Sequence, residues 1–141
     1  MHISNAESKI ILYNKDFDGF NITSKAIQSL EQTSEKLTQK IKSYLAEGDF
    51  SKKDLSSINQ QLIGLEKSFI SEKGMYFGSW YRSLYASSDP FSGYAAWILP
   101  GLEYEIALKA SDRLEEWDYR YSEAVNSLNL KMNKLINDLD K

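Results

Sequence analysis

The sequence contains no cysteine and only one histidine, His2. Disulfide bonds and thiolate metal sites are therefore excluded. With a single histidine beside the start, the composition also argues against a histidine-based zinc site, a Ser-His-Asp triad and a di-iron bundle with Glu-x-x-His pairs. We therefore expect no catalytic residue and no metal ligand set within this chain.

Long apolar runs and an excess of basic residues are also absent. The best apolar run, Ile10-Ile11-Leu12-Tyr13, is far shorter than the roughly 18 residues that a membrane-spanning helix needs. Acidic residues outnumber basic ones by 20 to 17, which gives a net charge of -3. Nucleic-acid-binding domains usually carry a basic face. We therefore expect no nucleic-acid partner and no direct membrane insertion.

The 141 residues suit a single domain, and 42% of them are hydrophobic, as is usual for a globular protein. Residues that interrupt helices are scarce, with 2 prolines and 7 glycines. Apolar residues at steps of three and four predict amphipathic helices over about residues 23–46, 51–74 and 112–139. The residues expected to cap or end these helices are Asn21 or Thr23, Gly48, Ser51 and Asp112.

Between the second and third of these helices, aromatic residues are unusually dense. We expect a short helix over residues 76–85, a loop over residues 86–93 and another short helix that begins at Pro100-Gly101. Tyrosine and tryptophan are enriched at protein interfaces, so this stretch is interpreted as interface or pocket lining, with plain core packing as the alternative. The candidates for a dimer interface are Tyr76, Phe77, Trp80 and Trp97.

Several motifs occur in a characteristic order: Asn59-Gln60-Gln61-Leu62, Leu65-Glu66-Lys67-Ser68-Phe69-Ile70, Tyr81-Arg82, Tyr85-Ala86, Tyr94-Ala95, Pro100-Gly101 and Trp117. Together they resemble the transferrin receptor-like dimerisation domain, which ends the chains of glutamate carboxypeptidase II-type zinc exopeptidases and of the transferrin receptor. The resemblance covers about residues 20–139. It implies an all-α domain over residues 20–141, a four-helix bundle with an aromatic-rich loop between helices. Residues 1–19 are then expected to be an extended or vector-derived lead-in.

The resemblance implies a non-catalytic homodimerisation domain with a second role in the peptidases. There, the loop before the Pro-Gly pair helps to form the pocket for the C-terminal residue of the substrate, which would assign Ser92, Gly93 and Tyr94 to that pocket. In glutamate carboxypeptidase II, a Lys-Tyr pair in this loop binds the substrate carboxylate. The tyrosine matches Tyr94, but Gly93 stands at the lysine position and the loop is one residue longer. A strict preference for C-terminal glutamate therefore does not follow.

The same resemblance places zinc and the catalytic carboxylate in a protease domain upstream, so this chain would need no cofactor of its own. The parent would be an exported carboxypeptidase or aminopeptidase, in the periplasm, at the cell surface or outside the cell. The partners would be a second copy and the parent's own protease domain. Two alternatives stay open: a stand-alone helical protein–protein interaction module, and the same domain from a catalytically inactive, receptor-type parent.

Overall fold

The computed structural model describes residues 1–48 and 52–139 and shows a mostly helical fold, which confirms the predicted class. Within these ranges no helix is both long and apolar enough to cross a membrane. The helices are α1 His2–Ile11, α2 Asn21–Glu47, α3 Lys52–Leu65, α4 Pro100–Leu108 and α5 Leu114–Asp138. A 3₁₀ turn, Glu66–Phe69, follows α3, and the strands β1 Ala86–Ser88 and β2 Ala96–Ile98 pair antiparallel.

The three long helices pack together, with α2 and α5 running in the same direction. Their contacts advance in the same sense along both helices: the Thr23 hydroxyl donates to the Asp118 carbonyl at 2.8 Å, and the Asn129 amide donates to Ser29 Oγ at 3.0 Å. Helix α3 runs in the opposite direction on α5. The core shared by α2, α3 and α5 contains Leu37, Met132, Leu135 and Leu139. The residues packed around it are Leu30, Ile41, Tyr44, Ile58, Leu62, Leu65, Leu128 and Ile136.

A second core lies at the end of the molecule where α5 begins. Helices α1 and α4 contact each other there, and Trp117 of α5 is completely buried. Within residues 1–19, expected to be an extended or vector-derived lead-in, residues 2–11 form the helix α1, which buries Ala6 and Ile10 at 4% and 0% exposure. The other buried members of this core are Phe20, Met75, Leu84, Leu99, Leu102, Leu114, Tyr121 and Ala124.

The first turn of α2 is capped by other helices rather than by its own side chains. Asp118 of α5 accepts hydrogen bonds from the backbone N–H groups of Ile22 and Thr23 at 3.0 and 2.7 Å. Glu7 of α1 accepts the N–H of Phe20 at 2.7 Å. The expectation that Asn21 or Thr23 caps this helix is therefore wrong. A carboxylate is the better partner here because it also complements the positive end of the helix dipole.

The helix expected over residues 76–85 does not form. This segment instead makes turns and two isolated bridges, Met75 with Gly78 and Ile70 with Ser83. Gly74 adopts a left-handed conformation at φ +68°, and a side chain there would overlap the backbone of Ser79. The chain therefore turns sharply where a helix would have to begin. Aromatic residues have only modest helix propensity, so this turn is enough to prevent the helix.

Other helix ends also differ from expectation. The second helix changes to the 3₁₀ turn after Leu65 rather than continuing to residue 74. Helix α5 begins at Leu114 without a side-chain cap, so Asp112 does not cap it; Asp112 instead lies 3.8 Å from the guanidinium of Arg113. The proposed cap Ser51 lies outside the described residues, and Gly48 ends α2 in a left-handed conformation, as expected.

The second core is organised around Trp117. Its ring packs so closely on Gly101, in the first turn of α4, that a Cβ atom at residue 101 would overlap the indole. The indole N–H donates to Glu105 Oε1 at 3.0 Å, and Glu105 is fully buried. Arg113 forms a two-pronged pair with the same carboxylate, with both nitrogen–oxygen distances at 2.8 Å. One carboxylate therefore fixes α4 to the start of α5.

Replacing Gly101 with alanine is expected to destabilise the domain by about 1–3 kcal/mol, because the added methyl group forces Trp117 away from α4. Gly64→Ala is the matched control. Gly64 lies in α3 with open space around its Cα, so alanine there is expected to stabilise the domain by about 0.5–1 kcal/mol. Urea unfolding followed by circular dichroism measures both. Equal stability of Gly101→Ala and the wild type would contradict the proposed packing.

Candidate functional site: an aromatic face and a hairpin

Six aromatic rings form a continuous network of ring contacts, here called the aromatic face. Neighbouring rings have centroids between 4.9 Å, for Phe77 with Tyr81, and 6.1 Å, for Phe77 with Trp97. Phe91 stacks on Tyr104 at 6.0 Å with an interplanar angle of 19°. These spacings are typical of favourable aromatic pairs. The members are Phe77, Trp80, Tyr81, Phe91, Trp97 and Tyr104.

Two of the six rings are exposed to solvent and the other four are half-buried. Trp80 is 76% exposed and Phe91 is 64% exposed, whereas Phe77 packs inward against the second core. Aromatic side chains are enriched at protein interfaces, so Trp80 and Phe91 are the members of the face best placed to contact a partner.

Three of the four predicted interface residues, Phe77, Trp80 and Trp97, come together in this face. The fourth, Tyr76, points elsewhere: its ring lies 5.8 Å from that of Trp117, and the Arg113 guanidinium carbon lies 4.6 Å from its centroid. The Tyr76 hydroxyl donates to Glu116, and this hydrogen bond raises the pKa of Tyr76. Tyr76 therefore belongs to the contacts around Trp117.

Sequence reasoning missed Tyr104, which comes from α4 and joins Phe91 to Phe77. Tyr104 lies outside the aromatic-rich stretch, and nothing in its sequence position indicates this contact. Tyr81 and Phe91 lie within the aromatic-rich stretch, but their sequence positions alone do not show that they join the same network of rings.

The residues assigned to a substrate pocket, Ser92, Gly93 and Tyr94, lie at the tip of a β-hairpin. The loop expected over residues 86–93 begins as strand β1, in register with β2 through Ala86–Ile98 and Ser88–Ala96. Gly93 adopts φ +73°, which explains why glycine suits this turn.

The hairpin tip is held by Asp89. Its carboxylate accepts the N–H of Phe91 at 2.7 Å and the hydroxyl of Ser92 at 2.6 Å. Its backbone N–H donates to the Ala95 carbonyl at 2.8 Å, and its carbonyl accepts the N–H of Gly93 at 2.8 Å. The Ser92 hydrogen bond and then the Phe91 N–H lower the pKa of Asp89.

Tyr94 is 96% exposed, and its side chain makes no hydrogen bond or ring contact with another described residue. The Tyr94 side chain is therefore presented outward from the turn. Among the described residues, no group of three or more histidine, aspartate or glutamate side chains could hold a metal ion, so these residues do not fit a zinc site.

The family model for the transferrin receptor-like dimerisation domain matches residues 19–133. The chain therefore belongs to the transferrin receptor-like dimerisation domain family, as its motifs indicated. Membership implies self-association and a non-catalytic role for this chain. No curated protein matches the chain at a significant level.

The order of the hairpin tip is expected to depend on pH. Hydrogen bonds in the folded state lower the pKa of Asp89. The ionised carboxylate therefore stabilises the hairpin tip at pH values above the ordinary aspartate pKa, and this stabilisation is lost as the pH falls through the folded pKa. Between about pH 6 and about pH 2, the amide resonances of Phe91 and Gly93 should move together in NMR spectra. In Asp89→Asn, which cannot titrate there, this movement should vanish. An identical pH response in the variant would exclude Asp89 as the cause.

Proposed function

We propose that the chain is the homodimerisation domain of a larger zinc-dependent exopeptidase, and that it also contributes its hairpin to the substrate pocket of that parent. Family membership supports the homodimerisation role. The exposed, ordered position of Tyr94 supports the contribution to the pocket. In this account zinc and the catalytic groups belong to the parent's protease domain, and the parent is an exported carboxypeptidase or aminopeptidase.

The aromatic face offers two separate contacts in this arrangement. Its hairpin end, with Phe91, lies beside Tyr94, so a hairpin that enters the pocket would turn this end toward the protease domain. Its other end carries Trp80, which is 76% exposed and whose ring centroid lies 5.7 Å from that of Tyr81. We assign the Trp80 end, supported by Phe77, to contact with a second copy. Tryptophan is among the residues that most often dominate binding energy at interfaces.

Trp80→Ser is expected to weaken self-association of the domain at least about tenfold, because it removes a large apolar group from the centre of the contact. Leu130→Ser is the matched control: Leu130 is 72% exposed but lies on α5, outside the aromatic face. Sedimentation equilibrium at high micromolar concentration measures both. Loss of the dimer in Leu130→Ser but not in Trp80→Ser would place the interface on the helical side instead. A strictly monomeric wild type would show that the domain's own surface is insufficient.

The pocket role rests on the Tyr94 hydroxyl, which can donate a hydrogen bond to the C-terminal carboxylate of a peptide substrate. Gly93 supplies no cation beside it. A lysine at residue 93 would add one, at the cost of strain, because this residue adopts a positive φ.

In the full-length parent, Tyr94→Phe is expected to weaken substrate binding by about 1.5–3 kcal/mol, or roughly ten- to a hundredfold. Gly93→Lys should shift preference toward acidic C-terminal residues, whereas Gly93→Ala adds a similar backbone strain without the charge. Steady-state kinetics on a panel of dipeptides test all three variants. Kinetic constants that do not change in Tyr94→Phe and Gly93→Lys would show that the hairpin does not line the pocket.

A further inference from the structure

Helix α1 precedes the residues that the family model matches, yet it is built into the second core. Its Ile10 side chain is completely buried, and Ala6 is 4% exposed. Just after the helix, the Tyr13 hydroxyl donates to the Ala110 carbonyl at 3.1 Å. Helix α1 is therefore held along its length, and the elements that it contacts indicate what it does.

The first of these elements is the root of the hairpin, the end far from Tyr94. The His2 ring meets the Tyr85 ring edge-on, with centroids 6.3 Å apart. Tyr85 directly precedes β1, and its carbonyl accepts the N–H of Leu99, directly after β2, at 2.8 Å. Ala6 and Ile98, the last residue of β2, line the same hollow of 300 Å³. Helix α1 thus lies beside both strands of the hairpin at their root.

The second element is α4, which continues directly from the hairpin. Lys9 Nζ lies 2.6 Å from Glu103 Oε1, so an ion pair joins α1 to the first turns of α4. Leu99 links β2 to α4 with φ +56° and is 7% exposed. A residue other than glycine adopts this conformation only where its surroundings hold it there. The angle between hairpin and α4 is therefore set by packing, and α1 is part of that packing.

The hairpin needs such support because it is small. Each strand has only three residues, and an isolated two-stranded hairpin is marginally stable in water. Two further contacts hold it: Phe69 lies 6.1 Å from Tyr85 at the root, and Phe91 stacks on Tyr104 near the tip. Neither contact reaches the root of β2, where Ile98 faces the hollow beside α1.

We propose that α1 is a positioning element for the hairpin: it fixes the angle at which the hairpin leaves α4, and so the place of Tyr94. The consequence for substrate rests on the proposed function, in which the hairpin lines the pocket. With the protease domain upstream, as in that proposal, α1 lies between the catalytic groups and the hairpin. It then couples the placement of the protease domain to the shape of its own pocket.

Native-state hydrogen exchange, measured by NMR on the full chain, tests the positioning. Ile3 is half-buried on α1 and packs against the second core, so Ile3→Ser loosens the helix. The amides of Asp89 and Leu99, which bond across the hairpin, should exchange about fivefold faster. The amides of Met132 and Leu135, in the other core, should change less than about twofold. Ile11→Ser is the matched control, because Ile11 is 42% exposed on the same helix.

A second variant removes the ion pair without touching the core. Lys9→Glu places two acids together where α1 meets α4, and should speed exchange of the same hairpin amides about two- to threefold. Lys15→Glu makes the same charge change at an exposed residue between α1 and α2, and should leave these amides unchanged. Unchanged hairpin exchange in both Ile3→Ser and Lys9→Glu would overturn the proposal. Equal acceleration of the hairpin and of Leu135 would also overturn it, since α1 would then only stabilise the fold.

Steady-state kinetics of the full-length parent test the consequence for substrate. Ile3→Ser should raise KM for dipeptides about threefold or more and change kcat less than about twofold, because the pocket lies away from the reacting bond. Ile11→Ser should change neither. If Tyr94→Phe weakens binding but Ile3→Ser leaves KM unchanged, the coupling of α1 to the pocket is refuted. If both variants leave the kinetics unchanged while hairpin exchange is faster, the pocket role fails and the positioning by α1 stands.

Discussion

The fully buried carboxylate of Glu105 is the interaction on which the second core depends. It accepts hydrogen bonds from Arg113 and from the Trp117 indole, and so joins α4 to α5 across a short turn. A buried carboxylate without these partners would cost several kcal/mol. Its hydrogen bond to Arg113 also raises the pKa of that guanidinium. The pair therefore specifies one orientation of α4, and the position of Trp117 follows from it.

The exposed surfaces depend on this core. Trp117 packs against Gly101 and lies under the Arg120 guanidinium, which in turn bonds to Ser71 and Gly74 and fixes the segment that leads to Phe77. Helix α4 carries Tyr104 into the aromatic face. On another part of the surface, an open groove lined by both acidic and basic side chains lies beside α5.

The sequence predicted the long helices because an amphipathic stripe is a local signal, and it predicted the family because the motifs occur in order. It could not predict how helix ends are satisfied when the partner is distant in sequence, as with Asp118, which lies 96 positions from Ile22. It also placed Tyr76 and Phe77 in one interface, although they contact different neighbours. The hairpin was expected to be a loop because Asp, Pro, Ser and Gly dominate its tip. The pairing of Ala86 with Ile98 could not be predicted, because it leaves no local pattern in the sequence.

The most direct test of the account is an isotope-filtered NOE experiment on a dimer prepared from equal parts of labelled and unlabelled domain. If the aromatic face is the dimer contact, intermolecular NOEs should connect protons of the partner with the side chains of Trp80 and Phe77. Observation of a dimer whose intermolecular NOEs arise only from the outer surface of α3 and α5, around Ile63 and Leu130, would contradict the assignment of the aromatic face as the dimer contact.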